Sequence, residues 1–543
     1  MTKFTSTERF LSLFTTLRAG EGTAAISLCW QSFALMYAYY LLKVIREPMI
    51  LAEGSAELKA YTTAAQAVIL MFFVVPVFAK SYKKLSSLEA KNHLFRHTLM
   101  FFGICLVTFG AAYHAGWHIG IAFYIWLGIF SVVTLALFWA FAADLFNVKA
   151  GQRIFPLIAA ASALGALLGS GSASYLDQQL GHGGVMFSAA AILLLPWMLC
   201  QRVENRILPE SRALETQAVS EMPDVLVAGF VMIWRNAYLL RIAAFVIVLN
   251  LINTNGEYVL ASYVKSQADV VSSMANSASA TGDYITQFYS RYFFLVTLLS
   301  FGIQLFLVAK IFDRIGVAGA ICVLPIVMII NYSLIALIPV LAVVRSAMIF
   351  ENSVNYSLGT TSRHALFLPV SRDEKYVGKH TIDTFFFRTG DVLSGGLVFL
   401  FSAVIGLGTL GFVTINIFLA VLLLIISIGI ARRYRTNTRE SLGNMPPILG
   451  SPLLDLSIKS GESSELQLDR NTFIDPDVGD ALKYQAFLSP EERLPTWVKF
   501  DSFNRTFRFA PPSNSSGSLT IRVVARDFDG LEAQTSFTLS YSE

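Results

Sequence analysis

The stretch "TLGFVTINIFLAVLLLIISIGIA", Thr409–Ala431, contains no charged side chain. At about 1.5 Å per helical residue it is long enough to cross the ~30 Å hydrocarbon core of a bilayer. Apolar runs of about 20 residues recur along the chain. A bilayer leaves such runs one economical solution, because a helix satisfies every backbone polar group internally. Of the 543 residues, 55% are hydrophobic and only 14% are charged, where a soluble domain carries about a quarter charged. The pattern specifies a polytopic helical membrane protein.

Hydropathy predicts about twelve spans, beginning near Ala24, Lys59, Leu94, Ile119, Ile154, Gly183, Tyr238, Gln287, Val317, Pro339, Thr381 and Leu407. A polar break at 203–222 separates six from six. With a cytoplasmic N-terminus, inside loops hold about 25 Lys and Arg and outside loops about five. An even number of spans then returns the C-terminus to the cytoplasm, where Arg432, Arg433, Arg435 and Arg439 agree. The first twenty or so residues lack the short apolar core and small-residue cleavage site of a signal peptide.

The halves read as copies. "AKSYKKLSS" (Ala79–Ser87) follows the second span and "AKIFDRIGV" (Ala309–Val317) the eighth. Gly151 and Gly169 have the spacing of Gly378 and Gly396. Parallel six-span repeats are a transporter architecture with the substrate site between the halves. In "LIAAASALGALLGSG", Ala161, Gly165, Gly169 and Ala173 recur every fourth residue. That leaves one helix face nearly bare, so a neighbouring helix can approach closely. We expect Gly165 and Gly169 to form a sliding contact, and Asp144, Lys149 and Arg153 a cytoplasmic hinge at its entrance. Asp313 and Arg314 are expected to form a second hinge or latch.

Beyond the Pro/Gly segment "PPILGSP" the hydropathy falls away. Short β-rich runs such as "ALKYQAF", "RTFRFA" and "LTIRVVARD" alternate with turn signals, which predicts a β-sandwich. The expected organisation is 1–23 cytoplasmic segment, 24–202 first half, 203–237 central linker, 238–433 second half, 434–452 linker and 453–543 β domain. The fold class is therefore an all-α polytopic body of two six-helix halves plus a small C-terminal all-β sandwich.

An ionisable residue inside a span is costly and marks a functional candidate. Tyr39, Lys43 and Arg46 share one face of the first span, as do Asn250, Asn253 and Glu257 of the seventh. Arg345, Asn352, Tyr356, Gly359 and Arg363 form a stripe on the tenth, and Thr384, Arg388 and Asp391 align on the eleventh. Arginine forks phosphate and carboxylate oxygens, and the aromatic run "YAYYLLK" offers rings for stacking. These stripes predict a cavity for an anionic solute. Lys43 and Arg46 also have the alternative of snorkelling to headgroups, and Arg388 and Asp391 that of a structural pair. Cys29, Cys105, Cys200 and Cys322 lie far apart inside apolar runs and read as packing residues. His93/His97 and His114/His118 read as interfacial anchors. No nucleophile–base set, P-loop or zinc motif is present, so neither an enzyme, a cofactor, a metal site nor a nucleic-acid partner is expected.

"YYLLKVIREPMIL" (Tyr39–Leu51), "LFWAFAADLFNVKAGQRIFPLI" (Leu137–Ile158) and "YSLGTTSRHALFLPVSRDEKYVGKHTIDTFFFRTGDVLSGG" (Tyr356–Gly396) resemble the ATP/ADP translocases. They resemble still more the bacterial NTP/NDP exchange transporter-like branch of that family, within the major facilitator superfamily. "KIFDRIG" (Lys310–Gly316) is similar to the superfamily's cytoplasmic loop motif. The resemblance implies obligate nucleotide exchange across a bacterial inner membrane by rocking of two halves, with the span that carries Gly165 and Gly169 sliding at the seam between them. It also implies intramembrane charges at four positions, which fall at Arg46 and near Leu127, Asn253 and Asp391; only the first keeps its charge. The C-terminal runs "LPTWVKFD" and "VVARDFDGLEAQTSFTLSY" resemble a dystroglycan-type cadherin-like module. Asp475, Asp477, Asp527 and Asp529 there read as turn formers rather than Ca²⁺ ligands. Three functions stay open at this stage. They are carriage of a nucleotide-like anion, export of another amphiphilic anion, and a scaffold presenting residues 453–543 to a protein partner.

Overall fold

The computed structural model describes residues 22–78, 85, 88–146, 148–211, 225–275, 279–371, 374–442, 445–476, 482–488, 492–527 and 530–543. Contacts divide the chain into two units, Met1–Arg433 and Tyr434–Glu543.

The first unit is helical. In chain order its helices are α1 (Gly22–Glu53), α2 (Ala56–Phe78), α3 (Leu88–His114), α4 (Gly120–Leu145), α5 (148–180) and α6 (182–211). A short α7 (Val225–Arg235) precedes α8 (Ala237–Ala275), α9 (Ser279–Phe306) and α10 (Val308–Leu337). Then come α11 (341–365), α12 (Lys379–Val404) and α13 (Thr409–Leu442). Among the described residues ten helices are long and apolar enough to cross a membrane, and one of them, Ile154–Cys200, is 47 residues long. That is more than twice the span of a bilayer core. Gly181 divides it, with φ 68° and ψ 170°, a left-handed conformation that glycine adopts without a Cβ clash. Counting α5 and α6 apart and adding the helical run α11 gives the twelve spans that hydropathy predicts.

Antiparallel and parallel contacts fix the first half. Asn92 Nδ2 of α3 donates to the Cys200 carbonyl of α6, while Gly110 at the other end of α3 meets Phe187. Conversely, α1 and α5 run in the same direction: Ser32 Oγ donates to the Ile158 carbonyl and Tyr37 bonds Ser172. A Cβ added at Gly165 or Gly169 would press into the Phe33 or Tyr37 carbonyl of α1. The second half repeats this geometry. A Cβ at Gly390 of α12 would fall 2.7 Å from the Ile247 carbonyl of α8. Span five lies on span one as span eleven lies on span seven.

The seam between the halves repeats too. Ser290 Oγ of α9 donates to the Ser170 carbonyl of α5 at 2.7 Å, and Gly171 meets Phe294. On the other side Gly395 of α12 meets Ala64 of α2. Here the structure differs from the sequence expectation. The bare face with Gly165 and Gly169 packs inside the first half, and the adjoining Ser170 and Gly171 meet the second.

The second unit is a two-sheet sandwich. With β2 at Leu456–Lys459 and β3 at Ser464–Gln467, one sheet has the order β2-β9-β8-β5, the other β3-β7-β6, and β1 (Ile448–Leu449) pairs with β4 (Phe473–Ile474). Strands β5 (Lys483–Leu488), β6 (Val498–Asp501), β7 (Thr506–Phe509), β8 (Gly517–Arg526) and β9 (Glu532–Ser542) alternate inward and outward residues. Inward Phe507, Phe509, Ile521, Val523, Phe537 and Leu539 form the core. Asp527 accepts bonds from the Gly530 and Leu531 amides, as a turn former does. Asp477 and Asp529 lie outside the described residues.

Candidate functional site

A cluster of four charges in the helical unit lies at the seam. Arg46 and Glu47 are neighbours on α1, and the helix continues through Pro48 to Glu53. Sequence alone suggests a turn at Glu47–Pro48. The helix persists because only the bond to the Val44 carbonyl is lost at Pro48, and packing of buried Met49, Ile50 and Leu51 outweighs it. Glu47 is fully buried. Its Oε1 accepts from Arg46 Nη2 at 2.5 Å, and its Oε2 lies 2.7 Å from Lys59 Nζ of α2. Lys59 in turn reaches across the seam to Glu257 Oε2 of α8 at 3.9 Å. Two cations and two carboxylates therefore form one row joining the halves. Glu57 adds a second cross-link, accepting from Tyr258 Oη at 2.8 Å and Ser402 Oγ at 3.2 Å.

Aromatic faces hold the cations in place. The Arg46 guanidinium lies 4.1 Å from the Tyr124 ring centre, and Lys59 Nζ 5.4 Å from that of Tyr289. Lys43, one turn before Arg46, lies 4.2 Å from the Phe293 ring of the opposite half and 5.3 Å from Tyr40. Unlike Arg46 and Lys59, Lys43 has no carboxylate within ion-pair distance among the described residues, and Glu257 acts on it only from farther off.

A small cavity of about 10 Å³ lies in the seam, room for about one water. Lys59, Glu257, Tyr289, Asn352 and Tyr356 are among its walls. Asn352 donates to Tyr292 Oη at 2.7 Å, and the buried Tyr289 hydroxyl has no partner among the described residues. Tyr356 belongs to a π-helical turn, Asn355–Gly359, a local widening common at functional sites. Toward the α1–α2 end of the bundle, a vestibule of about 760 Å³ is lined by Pro48, Glu53, His118, Asp177, His182 and Lys265 among others.

The structure gathers Lys43, Arg46, Glu257, Asn352 and Tyr356 at the seam; Tyr39 is half-buried beside Tyr40. Asn253 is half-buried one turn before Glu257. The other candidates sit elsewhere. Asp391 is buried and accepts from Asn250 Nδ2 and Thr254 Oγ1, both at 2.7 Å, and from Arg388 at 3.3 Å. It therefore ties α12 to α8 within the second half. Arg363 is held by Thr360 and the Phe387 ring. Arg345 is exposed in the first turns of α11. Asp313 and Arg314 are exposed in a helical turn ahead of Gly316, whose φ is 65°. The side chains of Asp144, Lys149 and Arg153 lie outside the described ones. Sequence reasoning missed Glu47 and Lys59. A Lys spaced one helical hairpin after a Glu was the available signal, but a span terminus hid it.

Among the described residues no group of three His, Cys, Asp or Glu is placed to hold a metal ion. His114 stacks on Phe187, and His97 bonds the His93 carbonyl.

The TLC ATP/ADP transporter family model matches residues 112–435. The chain belongs to that family. Residues 446–542 match a putative Ig domain. Comparison with curated proteins yields no match. Among solved structures, a POT family transporter in complex with 5-aminolevulinic acid superposes with a TM-score of 0.56 at 14% identity, covering 76% of this chain and 96% of that one. The nucleoside transporter NupG gives 0.51 at 14% identity, covering 77% and 99%. At such identities these neighbours establish the fold. This TLC-family chain is a multi-span membrane transporter whose helical unit shares the fold of those two transporters, with an Ig-like domain at residues 446–542.

Proposed function

We propose that this TLC-family protein carries an anionic, nucleotide-like solute across a bacterial inner membrane by alternating access, as an ATP/ADP-type exchanger with both termini cytoplasmic. Lys43 supports this reading most directly, as a seam cation packed on the Phe293 ring with no carboxylate at ion-pair distance among the described residues. Phosphate oxygens would complete its coordination, and Tyr39, Tyr40 and Tyr356 would offer faces to a base. A cavity of about 10 Å³ cannot admit a nucleotide, so the halves must part along the Lys59–Glu257 row to load it. Arg46 and Lys59, exchanging part of their carboxylate contact for phosphate, would couple loading to that motion. This chemistry is carriage, with no covalent step. The Ig-type match supports a protein-binding role for residues 453–543.

Proteoliposomes loaded with ADP should take up labelled ATP. A charge-assisted contact is worth about 1.5–3 kcal/mol, so Lys43→Gln should lower the initial rate roughly 10- to 100-fold, with Lys43→Arg keeping part of it. A wild-type rate in Lys43→Gln removes Lys43 from the site, and no nucleotide uptake by the native chain removes the substrate reading. Protease added outside intact spheroplasts should spare the C-terminal domain; its digestion would reverse the topology.

A further inference from the structure

A separate cavity of about 980 Å³ lies at the other end of the bundle. Arg235 and Asn236 line it at the α7–α8 junction, with Arg241 on α8, Glu374 ahead of α12, and Arg433 on α13. Three guanidiniums and one carboxylate share this wall. The carboxylate is already engaged: Glu374 accepts from Asn236 Nδ2 at 2.5 Å, from the Ser371 amide at 3.0 Å and from Ser371 Oγ at 2.9 Å. Partial burial pushes its carboxyl up, and these bonds outweigh that and hold it below the usual carboxylate range. Arg235, Arg241 and Arg433 are exposed, with no hydrogen-bond or ion-pair partner among the described residues.

The setting narrows the anion. The described part of helix α7 has 11 residues, Val225–Arg235, and ends one residue before α8 begins. It is apolar almost throughout, yet leaves Phe230, Val231 and Trp234 exposed, Trp234 by 78%. Phe230 packs on Phe385 and Phe386 of α12, which fixes α7 against the bundle. An apolar helix with an exposed Trp beside a terminal Arg belongs at the membrane interface. Basic pockets between helices at that depth suit phospholipid headgroups.

We propose that Arg235, Arg241 and Arg433 form a headgroup site for an anionic phospholipid. The guanidiniums fork the phosphodiester oxygens, and the exposed face of α7 lies along the upper acyl chains. Because α8 also carries Glu257, a lipid here braces the foot of a seam helix.

The test is thermal unfolding of the full-length protein in phosphatidylcholine nanodiscs, with and without phosphatidylglycerol. Inorganic phosphate and ATP serve as soluble anions. Phosphatidylglycerol should raise Tm by about 3 °C or more, and high salt should shrink the rise. R235Q/R241Q/R433Q should lose most of it while keeping the native Tm in phosphatidylcholine. If that triple variant fails to fold, R433Q alone should retain less phosphatidylglycerol in native mass spectrometry, and R433K more than R433Q. An undiminished rise, or undiminished retention, in the Gln variants overturns the site. An equal arginine-dependent rise with inorganic phosphate or ATP overturns the lipid assignment in favour of a soluble phosphate.

Discussion

Glu47 is fully buried, and its two oxygens face two different cations, Arg46 on its own helix and Lys59 on the next. Removing one partner of a buried ion pair leaves a charge with neither water nor a full counterion, at about 3–5 kcal/mol. Lys59→Gln should therefore lower the thermal midpoint of the purified protein well below wild type. Glu47→Gln added to it should not recover the loss, since it strips buried Arg46 of its only carboxylate contact among the described residues. An unchanged midpoint in Lys59→Gln would mean that Arg46 alone satisfies Glu47. The stripes on α1, α8 and α11 were legible because helical periodicity places Lys43, Arg46, Glu257, Asn352 and Tyr356 on faces. The role of Asp391 was not, because periodicity says which way a residue points and nothing about the Asn250 and Thr254 that meet it.

At the scale of helices, small residues act in two ways. Gly165 and Gly169 let α5 lie against the α1 backbone within one half, while Gly395 lets α12 approach Ala64 of α2 across the seam. A Cβ at Gly165 meets a main-chain carbonyl, which cannot turn aside. Gly165→Ala should thus lower stability, with transport lost in proportion to folded protein. A Cβ at Gly395 falls 2.5 Å from the Ala64 Cβ. Gly395→Ala should slow exchange at near-native stability, and Ala64→Gly should restore the rate. A Gly395→Ala protein that exchanges at the native rate would remove this contact from the moving surface. The four-residue spacing foretold a close helix contact, but a bare face does not name its neighbour.

Across the whole molecule, a membrane-embedded unit and a β-sandwich obey different solvents. The sandwich has its own buried cluster around Phe507, Phe509 and Phe537. A fragment spanning residues 446–543 should fold alone, giving a β-type circular dichroism spectrum and one cooperative unfolding transition; a disordered spectrum would show that it depends on the rest of the chain.

The sequence by itself determined the spans, the two halves, the change of fold near residue 445 and the family resemblance. Each of these follows from local hydropathy, periodicity or motif, which needs no partner to be read. Tertiary structure alone decided which charges neutralise one another. Arg46, Glu47 and Lys59 close into a row with Glu257, and Lys43 is left over aromatic rings, because helices distant in sequence bring their faces to one seam. The net charge of a site is a sum over such neighbours, and no single helix carries that sum.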